Sequence, residues 1–449
     1  MKILLIYPSR LSNLEQPMKY RLGFLPPLGL AILTALTPKH HQVKVLNDIV
    51  ENVDFDSDVD LVGLTAMTTQ ISRAYQIADE FRRRGKKVVL GGIHPTFFPE
   101  EALQHADSVI IGEAEGLWEQ LLIDVENHCL KDRYQHKEFC SLDNLPTPDW
   151  SNQDLTIYPR MLGAKLPMMP VFTTRGCPYG CKFCAVTKVY GKSYRVRPIA
   201  DVVREIEATN IREIFFVDDN IACVPEHSKE LFRALSGKNI SWMSQISTTV
   251  LKNPELIDLA ADCGCFYLFI GMESLNKDSL KGAKKSFNNV DKYEELIARM
   301  HKAGIVPYLS FIFGFDEDLD EQFDLTVEFI RRNKVGYATF WLLTPLPGTD
   351  LYWEFLKDGR IVDHNWSHYD ANQIVFNSRI EKSELERRYW KGYNKLFSWR
   401  SIVANMGNVV KNSRRPFNEF LRSLFYMVYI HIKVSNNDHP FSGGIFRRS

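Results

Sequence analysis

Short apolar runs alternate with amphipathic segments of helical spacing over residues 1–140. The runs that predict strands lie at 2–7, 43–48, 60–66, 87–92 and 108–115. The helical patterns include 27–38 and 68–85. Because these strands are continuously apolar, both faces of their sheet should be covered. This order predicts a Rossmann-like, flavodoxin-like α/β domain with a parallel sheet, whose ligand would lie at the carboxyl ends of the strands.

A second series of strand–helix units follows a Pro-rich segment at 143–155, "DNLPTPDWSNQDL", which predicts a linker. Its strands are predicted at 169–176, 212–222, 239–250, 265–274, 306–316 and 337–349. After residue 351 the alternation stops and helical patterns follow. The chain should therefore divide into an α/β domain at 1–142, a second α/β domain at 143–358 and a helical region at 359–449.

Composition and charge exclude several classes of function. Lys and Arg together number 55, as do Asp and Glu, so no basic excess indicates a nucleic-acid partner. No apolar run is long enough for a transmembrane segment. The first ten residues, "MKILLIYPSR", become polar too soon for a signal peptide, and the chain contains eight cysteines. We therefore expect a cytoplasmic protein whose clustered cysteines bind metal or carry out redox chemistry.

The stretch "TTRGCPYGCKFCAV" (173–186) places Cys177, Cys181 and Cys184 within eight residues, separated by glycine and proline. Thiolates bind iron–sulfur clusters, and three of them leave one iron of a four-iron cluster open for a further ligand. Zinc held by three cysteines and a distant histidine is the alternative, although this spacing is unusual for zinc. A third alternative is a set of buried structural thiols. The spacing thus favours a catalytic [4Fe-4S] cluster.

The CxxxCxxC spacing of these cysteines resembles the signature of the radical S-adenosylmethionine (SAM) superfamily. The resemblance implies that SAM chelates the open iron and is cleaved to a 5′-deoxyadenosyl radical. It also implies that Phe183 packs near the adenine and that the second domain is a partial (β/α)6 TIM barrel.

Polar side chains follow the apolar strands of this second domain, where functional residues of such barrels lie. They are Asp218, Asp219 and Asn220, then Gln245 and Ser247, then Glu273. An acid after the second strand can accept hydrogen bonds from the SAM ammonium group. The resemblance implies ribose contacts for Glu273 and ribose or carboxylate contacts for Ser247. Each residue taken alone could instead belong to a loop or a helix cap.

The first domain also resembles a known family, through "LPPLGLAILTALTP" and "GGIHPTFFPEEALQHADSVIIGEAEGLWEQLL". These stretches are similar to the cobalamin-binding domain of many radical SAM enzymes. The resemblance makes the residues after its strands candidates for cobalamin contacts: Thr65, Met67, Thr68, Gly91, Gly92, His94, Gly112 and Glu113. Ordinary turn chemistry is the alternative, and His94 could be a hydrogen-bonded turn histidine. The D-x-H-x-x-G motif that supplies a histidine to cobalt elsewhere is absent.

The run "SWMSQIST…LFIGMES…FIFGFDED…LLTPLPGTDLY" resembles the subgroup that contains hopanoid C-methylases. It implies a cobalamin-dependent methyltransferase that acts on an unactivated carbon of a small-molecule or lipid-like substrate. An electron donor such as flavodoxin or ferredoxin is also implied. One alternative is a radical SAM enzyme that binds no cobalamin and catalyses rearrangement, carbon–carbon bond formation or transfer of another SAM-derived group. Another is a non-catalytic iron–sulfur binding or sensing module.

The aromatic-rich stretch at 418–434 predicts a C-terminal helix with Arg422 and Lys433 near its ends. Such a helix could lie at a lipid interface, which would make the enzyme peripheral to a membrane. The favoured alternative packs it over the mouth of the barrel, with the two long cationic side chains reaching solvent. In that position the C-terminal region would shape the substrate pocket.

Overall fold

The computed structural model describes residues 1–160, 165–414, 416–440 and 444–448. Its first domain contains β1 (Lys2–Tyr7), β2 (Tyr20–Gly23), β3 (Gln42–Asn47), β4 (Leu61–Thr65), β5 (Lys87–Gly91), β6 (Ser108–Ile111) and β7 (Arg133–Gln135). Its helices are α1 (Leu28–Leu36), α2 (Ile71–Arg83), α3 (Ile93–Phe97), α4 (Pro99–His105) and α5 (Leu117–Glu126). Helices pack on both sides of the sheet, which explains why its strands are apolar throughout.

The first sheet contains every strand of this domain except β2, and its six strands run parallel in the order β3-β1-β4-β5-β6-β7. Without the added edge strand β7 this is the flavodoxin-like order, so the predicted Rossmann-like fold is confirmed. The order reverses beside β1, and the carboxyl ends of β4, β5 and β6 open on one side.

The second domain contains β8 (Met169–Val171), β9 (Thr174–Arg175), β10 (Arg195–Val196), β11 (Glu213–Phe216), β12 (Ser241–Ile246), β13 (Cys265–Glu273), β14 (Val306–Phe313) and β15 (Tyr337–Leu342). Its helices are α6 (Val186–Val189), α7 (Ile199–Thr209), α8 (Pro225–Leu235), α9 (Glu255–Asp262), α10 (Lys277–Gly282), α11 (Tyr293–Ala303), α12 (Gln322–Arg332) and α13 (Asp350–Lys357). Strands β8 and β11–β15 form a six-stranded parallel sheet with β8 and β15 at its edges, which confirms the partial barrel.

The C-terminal region contains α14 (Lys382–Leu396), α15 (Trp399–Lys411), α16 (Pro416–Ser435) and β16 (Gly444–Arg447). Single 3-10 turns elsewhere cover Thr68–Gln70, Leu155–Ile157, Thr248–Lys252, Val290–Lys292 and Trp366–His368. Strand β16 pairs antiparallel with β2, so the end of the chain returns to the first domain. The sequence analysis did not anticipate this pairing.

Helices α15 and α16 close the barrel at the amino ends of its strands. The hydroxyl groups of Tyr426 on α16 and Tyr308 near the start of β14 lie 3.0 Å apart. Arg422 donates to Glu213, the first residue of β11, at 3.0 Å. The predicted packing of α16 on the barrel is therefore present, but at the end opposite the cysteine loop. The aromatic side chains of α16 pack at the amino end, and the expectation that the C-terminal region shapes the substrate pocket stays a prediction.

None of the helices in the described ranges combines the length and the apolar character needed to cross a lipid bilayer.

Candidate active site

The loop that carries the three cysteines begins and ends in the short antiparallel pair β9–β10. Arg175 lies opposite Arg195 in this pair, so the nineteen residues between them leave and return at one point. Gly176 has a φ of 93°, and a Cβ there would lie 2.2 Å from the carbonyl oxygen of Ser193. Only glycine can occupy this turn, which directs the chain towards Cys177.

The three thiols lie in one largely buried neighbourhood. Burial raises the pKa of Cys177, raises that of Cys181 to about 11 and raises that of Cys184 to about 12. The ammonium group of Lys285 opposes burial and lowers the pKa of all three thiols. These thiols therefore ionise only next to a strong positive charge, which suits a metal cluster, whose ligands are thiolates.

Lys285 is a site residue that the sequence analysis missed, because it follows α10 in a loop and not at a strand end. Its Nζ donates to Glu273 at 2.5 Å and lies 5.8 Å from the ring centroid of Phe183. Burial works against its charge, but Glu273 and Cys181 raise its pKa. Lys285 thus places a fixed positive charge beside the cysteines and the predicted adenine contact.

Glu273 reaches this position through an irregular strand. Its φ is 65°, uncommon for a residue with a side chain, and the β13–β14 register shifts between Gly271 and Glu273. A bulge of this kind redirects one side chain at the end of a strand. Here it directs the carboxylate towards Lys285, and Glu273 is 6% exposed.

The two adjacent acids after β11 have different surroundings. Asp218 accepts hydrogen bonds from the backbone of Thr173 at 3.1 Å and from the hydroxyl groups of Thr173 and Thr174. Asp219 accepts no hydrogen bond from any residue in the described ranges. Burial raises the pKa of Asp219 to about 7, with a smaller contribution from the negative charge of Asp218. The charge of Asp219 in turn raises the pKa of the Cys177 and Cys184 thiols. Asp219 is therefore the acid with free capacity beside the cysteines.

The polar residues after the next strands form a connected edge. Asn220 accepts a hydrogen bond from the backbone of Ser247 at 3.1 Å, and its buried side-chain nitrogen has no partner among the described residues. Ser247 accepts from the backbone of Thr249 at 3.3 Å, as an N-cap. Gln245 is half-buried on β12, and its carbonyl accepts from Ile221 at 3.0 Å. Asn220 thus keeps a donor for a ligand.

A cavity of about 190 Å³ opens at the carboxyl ends of the first sheet. Five of the predicted cobalamin contacts line it: Thr65, Gly91, Gly92, Gly112 and Glu113. Gly29 and Gly112 also line it, and a Cβ at either position would meet no atom within 4 Å. Any side chain at these two glycines would therefore project into the cavity and fill it.

The other three predicted contacts lie outside this cavity. Met67 is exposed, and Thr68 is buried beside His94. The ring nitrogens of His94 lie 3.3 Å from the Thr68 hydroxyl and 3.3 Å from the Glu101 carboxylate. The His94 ring also packs edge-on against Trp366. His94 thus has the surroundings of a hydrogen-bonded turn histidine, the alternative that the sequence left open.

Glu113 joins the cavity to the cysteine loop. Its carboxylate accepts from Arg175 at 2.8 Å and from Arg195 at 2.8 Å, and Arg175 also donates to Glu115 at 2.5 Å. Burial opposes the charge of Glu113, but the two guanidinium groups outweigh it and lower the pKa. Because Arg175 and Tyr190 line the cavity, its wall comes from both domains. The two sets of strand ends face each other, as expected.

Other cysteines of the chain have different surroundings. Cys263 and Cys265 are buried in the core of the barrel. Cys140 donates to Glu113 at 3.2 Å. Burial raises the pKa of the Cys223 thiol to about 12, with a smaller effect from Cys177.

Two family profiles match the chain. The profile of the Radical SAM superfamily matches residues 171–330, which include the cysteine loop and β9–β14. The profile of the B12 binding domain matches residues 19–122, which include the strands that border the cavity.

Curated relatives match most of the chain. Bacteriochlorophyllide d C-8(2)-methyltransferase of Chlorobaculum tepidum is 33% identical over 87% of this chain and 89% of its own length. Bacteriochlorophyllide d C-12(1)-methyltransferase of the same organism is 35% identical over 85% of this chain and 84% of its own length. Hopanoid C-2 methylase of Rhodopseudomonas palustris is 24% identical over 78% of this chain and 68% of its own length. This similarity confirms the predicted subgroup.

The fold is also that of a solved radical SAM methyltransferase. TsrM from Kitasatospora setae superposes with a TM-score of 0.63, at 19% identity, over 80% of this chain and 76% of that chain. Because the relatives are named as methyltransferases, the prediction of an enzyme is confirmed, and the alternative of a sensing module loses its support. The chain belongs to the cobalamin-dependent radical SAM methyltransferase family, whose cofactors are a [4Fe-4S] cluster, SAM and cobalamin.

Proposed function

We propose that this enzyme methylates an unactivated carbon of a large, mainly apolar organic molecule. Relatives are named for bacteriochlorophyllide d and for hopanoids, which supports a tetrapyrrole-like or lipid-like substrate. The observation that carries the proposal is the shared ion-pair cluster of Glu113 with Arg175 and Arg195. It brings the cysteine loop and the first-domain cavity together, as a transfer between two cofactors requires.

In this proposal Cys177, Cys181 and Cys184 hold the cluster as thiolates. The positive charge of Lys285 stabilises these thiolates, and its ammonium group can donate a hydrogen bond to a carboxylate. Asp219 accepts from the SAM ammonium group, because Asp218 already receives hydrogen bonds from two threonines. Phe183 packs against the adenine, beside Lys285. When bound, the cluster supplies the electron that cleaves SAM, and cobalamin carries the methyl group.

The first-domain cavity is proposed to take one arm of cobalamin, since it is far smaller than a whole corrinoid. Gly29 and Gly112 leave that space open, and the walls are mainly aliphatic. No histidine of the described residues lines the cavity, which agrees with the missing D-x-H-x-x-G motif. Thr65, Gly91 and Gly92 would border the bound arm.

The electron donor is proposed to be a small redox protein such as a flavodoxin or ferredoxin, and the compartment to be the cytoplasm. The described cysteines are all free thiols, which suits a reducing compartment. We keep 1–142, 143–358 and 359–449 as the proposed domain division.

The test is anaerobic turnover of reconstituted protein with methyl-labelled SAM, a chemical reductant and candidate tetrapyrroles or triterpenoids. We expect 5′-deoxyadenosine, S-adenosylhomocysteine and a product that has gained one labelled methyl group. SAM cleavage without a methylated product from any candidate would contradict the proposed substrate class. A spectrum without bound corrinoid after incubation with hydroxocobalamin would instead contradict the proposed cobalamin site.

A further inference from the structure

Helix α16 has two apolar faces, of which only one is covered. Met427, Ile430 and Val434 are buried on the side that faces the barrel. The opposite side is exposed and equally apolar, through Phe417, Phe420, Leu421, Leu424, Phe425 and Ile432. A helix on the surface of a domain normally presents polar residues outwards. The outer face of α16 therefore has the composition of a contact surface.

Neighbouring elements extend this face. Trp399 and Val403 of α15 are 57% and 72% exposed, and the Trp399 ring lies 4.5 Å from that of His431 on α16. Phe446 of β16 is exposed and packs edge-on near Phe425. Leu421, Leu424, Phe425, Val428, Tyr429, Ile432 and Phe446 line one shallow groove. We refer to α16's outer side chains with Trp399, Val403 and Phe446 as the outer apolar face.

The charged side chains in this part of the chain are mostly cationic. Residues 387–449 contain twelve Lys and Arg side chains against two Asp and Glu, a net charge of +10 in a chain whose total is zero. Arg400, Lys411, Arg447 and Arg448 are exposed, and no carboxylate within the described ranges forms an ion pair with them. Arg400 adjoins Trp399, and Arg447 adjoins Phe446. Two of these exposed cations are thus sequence neighbours of side chains in the outer apolar face.

We propose that the outer apolar face docks on the surface of an anionic lipid bilayer. Apolar and aromatic side chains would enter the boundary between headgroups and acyl chains, and the bordering cations would meet the lipid phosphates. A second copy of the chain is a poorer occupant. A two-fold interface through this face would bring the same unpaired cations opposite one another.

The docked orientation leaves the active site accessible. The outer apolar face lies at the amino end of the barrel, whereas the cysteine loop lies at the carboxyl end. The two ends of the barrel therefore have separate tasks, and loss of lipid binding is distinguishable from loss of SAM cleavage.

The experiment is co-sedimentation of the reconstituted full-length enzyme with vesicles. One set contains phosphatidylcholine and phosphatidylglycerol, and the other contains phosphatidylcholine alone. We expect binding to the anionic vesicles that weakens as salt is added, and weaker binding to the neutral ones. Wild-type protein that sediments with neither set would overturn the proposal.

Paired variants locate the surface. F417S/F425S should remove most binding, and R447Q/R448Q should reduce it about fivefold per charge. The matched controls are L14S/V362S, which removes exposed apolar groups elsewhere, and R233Q/K357Q, which removes exposed cations elsewhere. Both controls should bind as wild type does, and SAM cleavage should persist in all four variants. Equal losses in the controls would overturn the proposal. So would a solution dimer that F417S/F425S dissociates, because it would make a second copy the occupant.

Discussion

At the scale of single residues, hydrogen-bond partners distinguish side chains that the sequence presents as equivalent. Asp218 and Asp219 are adjacent acids after one strand, and either fitted the SAM ammonium group. Asp218 is saturated by Thr173 and Thr174, whereas Asp219 has no such donors in the described ranges and the higher pKa, about 7. A buried carboxylate without a partner gains most from a cationic ligand.

We expect Asp219→Asn to weaken SAM binding by about tenfold or more, because an amide cannot form the charge-assisted contact with an ammonium group. Asp218→Asn is the matched control. It should lower the free energy of unfolding by about 2 kcal/mol with a smaller effect on SAM. Anaerobic calorimetric titration of reconstituted protein measures the first effect, and urea unfolding measures the second. A larger loss of SAM affinity in Asp218→Asn would reverse the assignment.

Asp48 gives a prediction about pH. Its buried carboxylate accepts from Ser9 at 2.7 Å, from Lys19 at 2.6 Å and from Arg73 at 3.0 Å. Burial opposes its charge, but Arg73 and Lys19 outweigh it and lower the pKa below 3.8. Its contribution to stability is thus present above pH 3.8 and is lost as pH falls through the lower, folded pKa.

We therefore expect the difference in urea midpoint between wild type and Asp48→Asn to be constant from pH 7 to about pH 5 and to shrink below about pH 4. Exposed Asp79 provides the control variant Asp79→Asn. A difference in urea midpoint between wild type and Asp48→Asn that grows at low pH would contradict the predicted direction of the pH dependence.

At the scale of elements, the cysteine loop depends on its anchor as much as on its ligands. The β9–β10 pair fixes both ends of the loop, and Gly176 makes the turn between β9 and Cys177. Gly180 lies in the same loop, but its backbone is not left-handed and a Cβ there would lie 3.5 Å from the flexible end of Lys192. The two glycines look alike in sequence, but only Gly176 has a backbone conformation that requires glycine.

Gly176→Ala should abolish cluster incorporation, because its Cβ would meet the Ser193 carbonyl at 2.2 Å with the backbone at a φ of 93°. Gly180→Ala should take up iron and sulfide nearly as wild type does. Iron and sulfide analysis and the visible spectrum of reconstituted protein measure both. Normal cluster content in Gly176→Ala would show that the loop tolerates a different turn.

At the scale of the whole molecule, two of the contacts that join the domains connect segments distant in sequence. Glu113 binds Arg175 and Arg195 across the domain boundary, and β16 pairs with β2. Neither contact has a periodic signal in the sequence. The sequence predicts Glu113 as a cobalamin contact at the end of a strand, and no local pattern indicates its two arginine partners.

Glu113→Gln should lower the free energy of unfolding by about 3 kcal/mol, because two largely buried guanidinium groups lose their shared carboxylate. It should also weaken hydroxocobalamin binding, since Arg175 lines the cavity. Glu100→Gln, which breaks an exposed pair with Arg133, should cost less than about 1 kcal/mol. Urea unfolding and a spectral titration measure these effects. Equal losses of stability in Glu113→Gln and Glu100→Gln would show that the ion pairs of Glu113 contribute no more than an exposed pair.

The sequence alone determined the parallel sheets, the order of the domains, the cysteine loop and the family, because hydrophobic periodicity and short-range spacing are local properties. It also made Asp219, Glu273, Gly91, Gly92 and Gly112 candidate site residues, since these lie at the ends of predicted strands. Only the tertiary structure separated Asp219 from Asp218, added Lys285, moved His94 and Met67 away from the cavity, and placed α16 at the amino end of the barrel. These outcomes depend on which side chains meet after folding, since burial and hydrogen-bond partners arise from contacts between distant segments that no local pattern encodes.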